Sequence, residues 1–301
     1  MSKKSKQKFV LMVGAAAAGA YYLNKRNAKK GEEEFEIVNA VIHSERQTDI
    51  PMTIYHPLGV KETPLVVFVA GFNDDRTSEG KFSQLAEILL KKQITSVLFE
   101  HAGCGESKEN FKAYSLSNNL LDLDRVYNYM LNHYSIDKDK LVLAAYSMGG
   151  REAVLYSKLK PEIGTLILLA PALSVVGDGE LEKFFGGKDA YAELEAAAQK
   201  DGYALFEEVE GQPLKLSKEF FEDLRNLDHL NALNAFKGNL LYLQGNEDEV
   251  VTPEVSGKAL QMINKRVKLN YVYLDHIDHC FSSEHSEIIN NIVRDYLIKK
   301  L

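Results

Sequence analysis

The chain has 301 residues, of which 45% are hydrophobic and 26% charged, which is ordinary for a soluble globular protein of one large or two small domains. Residues 1–30 carry eight Lys or Arg and no acid, so the remaining residues hold 28 basic and 43 acidic side chains, a net charge of −15. Such an acidic body repels phosphates, which argues against a nucleic-acid partner. Cys104 and Cys280 are the only cysteines, so the chain has no disulfide framework, and neither shows the spacing of a zinc site.

The N-terminal segment, residues 1–34, differs in composition from the rest. Residues 9–23 are uncharged and lie between basic clusters, and as a helix they would span only about 22 Å of a roughly 30 Å hydrocarbon core. Three interpretations remain open: an uncleaved membrane anchor, a surface-lying or solvated helix, and a cleaved signal peptide. Because basic residues follow at once and hinder translocation, we expect membrane association through residues 9–23, with a cytoplasmic or secreted protein as the alternatives.

The body of the chain alternates predicted strands and helices. An antiparallel pair is expected at 35–44 and 50–56, followed by buried strands at 64–71, 96–99, 141–145, 165–169, 239–245 and 267–274. Helices are predicted at 79–92, 117–133, directly after Ser147, at 253–263 and at 284–300. This alternation predicts βαβ units and a parallel sheet.

Residues 173–236 interrupt the alternation. They contain short helical patterns at 180–185, 190–199 and 218–226, and a hairpin is predicted around residues 211–213. Long insertions of this kind are usually functional lids or binding elements. We therefore predict a cap at 173–236, inserted into a core formed by 35–172 and 237–301.

Ser147 stands between a buried strand and a helical pattern, as in a nucleophile elbow. Residues two before and two after such a serine must be small because the strand and helix backbones pass close together. Ala145 and Gly149 meet this requirement. A tight turn of this kind presents the hydroxyl to a base and to backbone N–H groups that bind an oxyanion.

Two further residues follow strand ends in the order expected of a serine triad. Asp248 lies just beyond the strand at 239–245, and His279 just beyond the strand at 267–274. Four neighbours of these two remain rivals for the acid and base roles: His276, Asp278, Glu247 and Glu249.

The predicted oxyanion donors are the backbone N–H groups of two residues. Met148 directly follows the serine, and Phe72 directly follows Gly71 in the loop after the first central strand.

The chain resembles α/β-hydrolases of the bacterial esterase, lipase and serine aminopeptidase type, and most closely the capped feruloyl (cinnamoyl) esterases. The motifs that carry the resemblance lie at 70–72, 99–107, 145–150, 168–171, 244–248 and 278–281, within a similarity that covers about 35–300. It implies a mostly parallel central sheet with helices on both faces and an inserted cap, and it gives Asp248 the acid role and His279 the base role. Three residues depart from the family pattern: Ala70 for a frequent histidine, Glu100 for an aspartate and Ala145 for a glycine.

We predict from these features a serine hydrolase that cleaves small-molecule carboxylic esters through an acyl-enzyme, with no metal and no cofactor. A serine aminopeptidase or thioesterase on the same fold is the enzymatic alternative. A membrane-tethered binding protein with an inactive hydrolase fold is the non-enzymatic alternative.

Overall fold

A computed structural model describes residues 21–30, 33–207, 212–282 and 285–301. The strands in this part of the chain are β1 (Tyr21–Lys30), β2 (Glu33–His43), β3 (Asp49–Pro57), β4 (Thr63–Val69), β5 (Thr95–Phe99), β6 (Ile136–Tyr146), β7 (Thr165–Leu169), β8 (Tyr203–Phe206), β9 (Leu214–Ser217), β10 (Asn239–Gly245) and β11 (Lys268–Leu274). The helices are α1 (Lys81–Leu90), α2 (Leu116–His133), α3 (Met148–Leu159), α4 (Glu180–Phe184), α5 (Lys188–Asp201), α6 (Lys218–Asn226), α7 (His229–Ala235), α8 (Pro253–Met262) and α9 (Ser286–Lys300).

Nine of the described strands form one sheet in the order β1-β2-β3-β5-β4-β6-β7-β10-β11. The six strands β5, β4, β6, β7, β10 and β11 run parallel to one another. The pairs β1–β2, β2–β3 and β3–β5 are antiparallel. The central strands are continuous apolar runs because both faces of a parallel sheet are covered. The predicted mostly parallel sheet is confirmed.

Helices cover the sheet on both faces, as predicted. One face packs against α1 and α9 in a cluster that includes Leu85, Leu89 and Val293. The other packs against α2, α3, α7 and α8 in a larger cluster that also includes residues of the insertion. The carboxyl ends of the parallel strands therefore open at one edge of this sandwich, where ligands bind in open α/β sheets.

The N-terminal segment was predicted as a helix over residues 9–23, but residues 1–20 lie outside the described residues. Residues 21–23 belong to β1, so the prediction that a helix extends to residue 23 is wrong. The sequence did not predict β1, whose charged residues lack strand periodicity; it forms by pairing along the edge of β2, with Lys29 opposite Glu34. None of the helices in the described ranges has the length and apolar character that a membrane span requires.

Residues 173–236, called the insert below, connect β7 to β10. The three predicted helical patterns appear as α4, α5 and α6, whereas α7 was not predicted. The predicted hairpin is the antiparallel pair β8 and β9; residues 208–211 of its connection are outside the described residues. The insert has its own aromatic packing among Phe185, Tyr191, Phe220 and Phe221.

A polar cluster is buried between α2, α3 and the loop after β5. Nδ2 of Asn119 donates a hydrogen bond of 2.8 Å to Glu152, and Nε2 of His101 lies 3.3 Å from the other Glu152 oxygen. All three side chains are fully buried. Burial raises the pKa of Glu152 to about 8 and lowers the pKa of His101 to about 4, because both charged forms lose water. Glu152 is therefore protonated and neutral near pH 7.

We predict that Glu152→Gln removes a pH dependence of stability. Since the pKa of Glu152 rises from 4.5 in the unfolded chain to about 8 in the folded one, its contribution to the free energy of unfolding falls between these values. The contribution of His101 is lost only as the pH falls below 6.5. From pH 6.5 to 8 the wild type should therefore lose about 2 kcal/mol relative to Glu152→Gln, at about 1.36 kcal/mol per pH unit.

Urea unfolding at pH 6.5, 7.2 and 8 measures this difference. Glu87→Gln, at an exposed position of α1, is the matched control and should follow the wild type at every pH. A constant difference between wild type and Glu152→Gln across this range would contradict the assignment of a neutral Glu152.

Candidate active site

Ser147 occupies the sharp turn between β6 and α3, with a φ of 53° and a ψ of −120°. A positive φ is strained for a residue with a side chain, and it persists only where the surroundings enforce it. The serine N–H donates to the carbonyl of Leu169 at 3.0 Å, and its carbonyl accepts from the N–H groups of Gly150 and Ala172 at 2.9 and 2.8 Å. Leu169, at the end of β7, and Ala172, three residues later, thus hold the serine backbone in place.

Small residues are required around this turn for a steric reason. A Cβ atom at Gly149 would lie 2.4 Å from the carbonyl oxygens of both Val69 and Ala70, at the end of β4. A Cβ atom at Gly150 would lie 2.4 Å from the Cβ of Pro171. Ala145 is fully buried on the strand side of the turn. The close approach of α3 to β4 therefore depends on the small residues that follow the serine.

The structure brings Ser147, His279 and Asp248 together. Nε2 of His279 lies 3.0 Å from Oγ of Ser147, and Nδ1 of the same ring lies 2.9 Å from Oδ2 of Asp248. The histidine side chain is 11% exposed and the aspartate side chain is completely buried. Ser147 and His279 are therefore partly exposed, whereas the carboxylate is shielded from water.

The Asp248 carboxylate is fixed by further hydrogen bonds. Its Oδ1 accepts from the backbone N–H groups of Val250 and Val251 at 3.0 and 2.7 Å. Its Oδ2 also accepts from Nε2 of Gln244 at 3.2 Å. A role for Gln244 was not predicted from the sequence. The feature that could have indicated it is a polar side chain near the end of a mostly apolar strand, four residues before the aspartate.

Tyr146 contacts both the ring and the backbone of His279. Its hydroxyl donates to the carbonyl of His279 at 3.2 Å, and the two ring centroids lie 5.2 Å apart. Burial raises the pKa of Tyr146 far above its ordinary value, so the hydroxyl remains a donor. Its position directly before the serine was visible in the sequence, but nothing there indicated a contact 133 residues away.

The structure does not bring the rival residues to the serine. His276 is 84% exposed and its Nδ1 pairs with Glu247 at 2.8 Å on the protein surface. Asp278 and Glu249 are also exposed. Glu247 and His276 form a surface pair of their own, separate from the contacts of Ser147.

The two predicted oxyanion donors flank the serine. Met148 is the first residue of α3, so its N–H has no acceptor within the helix. A Cβ atom at Gly71, the residue before Phe72, would lie 3.3 Å from the Cβ of Ser147. In the described part of the chain, neither the Met148 nor the Phe72 N–H donates a hydrogen bond.

The ring of Phe72 joins the core to the insert. Its centroid lies 5.4 Å from that of Tyr114 in the core, and 5.5 and 6.3 Å from those of Phe184 and Phe206 in the insert. Phe184 and Phe206 also line a cavity of about 980 Å³, whose wall includes Val250, two residues after Asp248. None of Ser147, Asp248 and His279 lines this cavity, which is linked to them through Phe184 and Phe206 beside Phe72 and through Val250.

The aromatic residues of the insert have different surroundings. Phe185 and Tyr191 are buried and pack inside the insert, although Phe185 also reaches the cavity wall. Phe184 is 37% exposed and Phe206 is half-buried. Tyr203 lies under the ammonium groups of Lys112 and Lys215, outside the cavity.

The two cysteines lie in different environments. Cys104 is buried, and Cys280, directly after His279, is exposed. Burial raises the pKa of the Cys280 thiol, with the carboxylate of Asp278 acting in the same direction. Among the described residues, no group of three His, Cys, Asp or Glu side chains is placed to hold a metal ion.

Comparison with known proteins supports the fold. Residues 61–187 match the model of the serine aminopeptidase S33 family. No curated protein matches the chain in sequence. The solved structures that resemble it include several esterases, all of low sequence identity.

Est1E from Butyrivibrio proteoclasticus, in a structure with bound ferulic acid, is 18% identical with a TM-score of 0.67, covering 86% of this chain and 98% of its own. Acetyl xylan esterase 1 from Thermoanaerobacterium sp. is 16% identical with a TM-score of 0.64, covering 94% and 88%. An esterase of Pyrococcus furiosus is 19% identical with a TM-score of 0.63, covering 88% and 91%. The predicted α/β-hydrolase fold is thereby confirmed.

The steric account of the turn predicts opposite effects for two glycines. Gly149→Ala should destabilise the protein by about 1–3 kcal/mol, because the new methyl group meets backbone oxygens that cannot rotate away. Gly257→Ala, in α8 with open space around it, should stabilise by about 0.5–1 kcal/mol through helix propensity. Equilibrium unfolding in urea measures both, and equal effects at the two sites would contradict the close approach of α3 to β4.

Proposed function

We propose that this chain, an α/β-hydrolase by its fold, cleaves carboxylic esters with Ser147 as nucleophile, His279 as base and Asp248 as the acid that orients the histidine. The observation that carries the proposal is the continuous set of contacts from Asp248 through His279 to Ser147. The match to the serine aminopeptidase S33 family and the esterases among the similar structures point to the same class of hydrolase.

Attack on the ester requires a base at the serine. His279 Nε2 takes the Ser147 proton as Oγ adds to the acyl carbonyl, and the resulting imidazolium keeps its Nδ1–H on Asp248. The hydrogen bonds from Val250, Val251 and Gln244 hold the carboxylate in the orientation that selects this tautomer. In this tautomer only Nε2 of His279, the nitrogen that faces Ser147, can accept a proton.

The negative charge that develops on the carbonyl oxygen needs donors that are already in place. The N–H groups of Met148 and Phe72 serve this purpose, since both flank the serine without another acceptor in the described part of the chain. Removing one such donor typically costs roughly 100-fold to 1000-fold in turnover.

The cycle closes by hydrolysis. His279 returns its proton to the leaving alcohol oxygen, and the acyl group remains on Ser147 as an ester. Water then loses a proton to His279 while its oxygen adds to the acyl carbon. His279 returns that proton to Oγ of Ser147 as the bond between Oγ and the acyl carbon breaks, which releases the free carboxylic acid and restores the serine hydroxyl.

The cavity lined by Phe184 and Phe206 is the proposed site of an apolar acyl group. Its wall carries Phe184, Phe206 and Leu194, and Phe184 and Phe206 are in ring contact with Phe72. A volume of about 980 Å³ is at the upper end of ordinary small-molecule pockets, enough for a medium acyl chain or a phenyl ring. We propose accordingly that the insert acts as the cap that selects the acyl group.

A peptidase activity is the second candidate function. The match to the serine aminopeptidase S33 family favours this activity. The same serine and base would attack an amide, and the difference lies in how the leaving amine is bound and protonated. An inactive binding protein is the remaining alternative; it would not react with a fluorophosphonate probe at Ser147.

We predict that Ser147→Ala lowers kcat on p-nitrophenyl butyrate by at least roughly four orders of magnitude, because no nucleophile remains. His276→Asn is the matched control on the turn that carries His279; asparagine tolerates its φ of 58°, and turnover should stay within about threefold of wild type. Fluorophosphonate labelling should disappear in Ser147→Ala alone.

Three outcomes separate the candidates. Ester turnover retained in Ser147→Ala would contradict the serine mechanism. Labelling of Ser147 without turnover of any ester, but with release of p-nitroaniline from aminoacyl anilides, would favour the peptidase. Absence of labelling in the wild type would favour the inactive fold.

Phe206→Ala is predicted to change acyl selectivity. Because Phe206 forms part of the cavity wall, its loss should lower kcat/KM for p-nitrophenyl octanoate about tenfold while leaving p-nitrophenyl acetate within about threefold. Leu159→Ala, an exposed apolar residue of α3, is the control and should affect neither ester. An equal loss on both esters would contradict an acyl role for the cavity.

A further inference from the structure

β11 is the last strand of the sheet in the described part of the chain, and only β10 pairs with it. The backbone N–H and C=O groups on its outer side therefore face away from the sheet. Natural proteins blunt such edges with charges, proline, bulges or covering segments, because an open edge is a template for another strand. Within Lys268–Leu274 the only charged residue is Lys268, at the first position, and there is no proline.

One face of β11 is apolar and exposed. Leu269, Tyr271 and Tyr273 alternate along the strand and so point to the same side, with exposed fractions of 41%, 37% and 49%. The Tyr271 and Tyr273 rings stack with centroids 6.2 Å apart. Val272 and Leu274, on the opposite face, pack instead against the cluster formed with α9.

Charge is distributed unequally along the same edge. Lys265, Arg266 and Lys268 lie at the beginning of the strand and are exposed, whereas Asp275 and Asp278 follow its end and are also exposed. An antiparallel arrangement of two identical strands brings the basic beginning of one copy against the acidic end of the other. The edge is therefore complementary in charge to itself.

We infer that β11 pairs with β11 of a second copy of this chain, antiparallel and about a two-fold axis at Tyr271. Residues paired across two strands share a face, so the two-fold axis must pass midway between a residue and its own copy. Pairing at Tyr271 sets Leu269 opposite Tyr273 and joins the two apolar faces into one strip. It also brings Lys268 opposite Leu274, next to Asp275 of the other copy.

The pairing makes one continuous sheet across two copies. The edge lies three strands from β6, the strand that ends at Ser147, so both serine sites stay outside the contact. The inference rests on the edge, its apolar face and its charge, and it holds whether or not the chain is an esterase.

The first test is the oligomeric state of the full chain by light scattering during size-exclusion chromatography at about 50 μM. The wild type should have about twice the chain mass of 33.8 kDa. Leu269→Lys should give a monomer, since a charge in the apolar strip would be desolvated without a partner. Leu159→Lys, at a more exposed apolar position in α3, away from the edge, should remain dimeric.

A charge exchange tests the antiparallel arrangement. Lys268→Glu should weaken dimerisation at least tenfold, because two acidic ends then meet, and Lys268→Glu combined with Asp275→Lys should restore it. Circular dichroism checks that each variant is folded. A monomeric wild type, a dimer that survives Leu269→Lys, or a double variant no better than Lys268→Glu would overturn the proposal.

Disulfide trapping tests the register. In a Cys280→Ser background, Tyr271→Cys should form an intermolecular disulfide under mild oxidation, because paired Cα atoms lie about 4.5–5.5 Å apart. Tyr273→Cys should not, since its copy would be about 14 Å away along the strand. Equal trapping at both positions, or trapping at Tyr273 alone, would overturn the pairing at Tyr271.

Discussion

The close approach of α3 to β4 is the constraint on which the rest of the site depends. Gly149 passes against the carbonyl oxygens of Val69 and Ala70, two residues after Ser147, whose φ is 53°. The strain is offset by the hydrogen bonds that the serine backbone makes to the residues after β7. The same turn exposes the Met148 N–H at the positive end of a helix, where a developing anion is favoured.

The sheet then determines where the other groups meet. Parallel strands end at one edge, so the loops after β4, β6, β10 and β11 converge there. Asp248 is held by backbone N–H groups of its own loop and by Gln244 at the end of β10, which orients it before any substrate binds. Preorganised polar groups of this kind need little rearrangement during reaction, which is the basis of the proposed mechanism.

The insert contacts the region around the proposed site through aromatic packing rather than through polar groups. Phe72 contributes its backbone N–H to the proposed oxyanion site and its ring to a cluster that includes Phe184 and Phe206. A substitution in the insert can therefore affect the loop after β4 through a few aromatic contacts. The open edge of β11 has a different character, since three apolar side chains along it, Leu269, Tyr271 and Tyr273, are exposed.

The sequence by itself determined the order of strands and helices, and β7, β10 and α6 begin and end where the periodicity predicts. It also determined the small residues around Ser147 and the order of the three proposed triad residues. It did not reveal β1 or α7, because β1 depends on the free edge of β2 and α7 has only seven residues, too few to show a helical period. Only the tertiary structure placed His279, and not His276, against Ser147 and brought Tyr146 to the backbone of His279, because contacts across 132 and 133 residues depend on strand ends that meet after the sheet has formed. It also disclosed the hydrogen bond from Gln244 to Asp248, which depends on the conformation of the loop after β10.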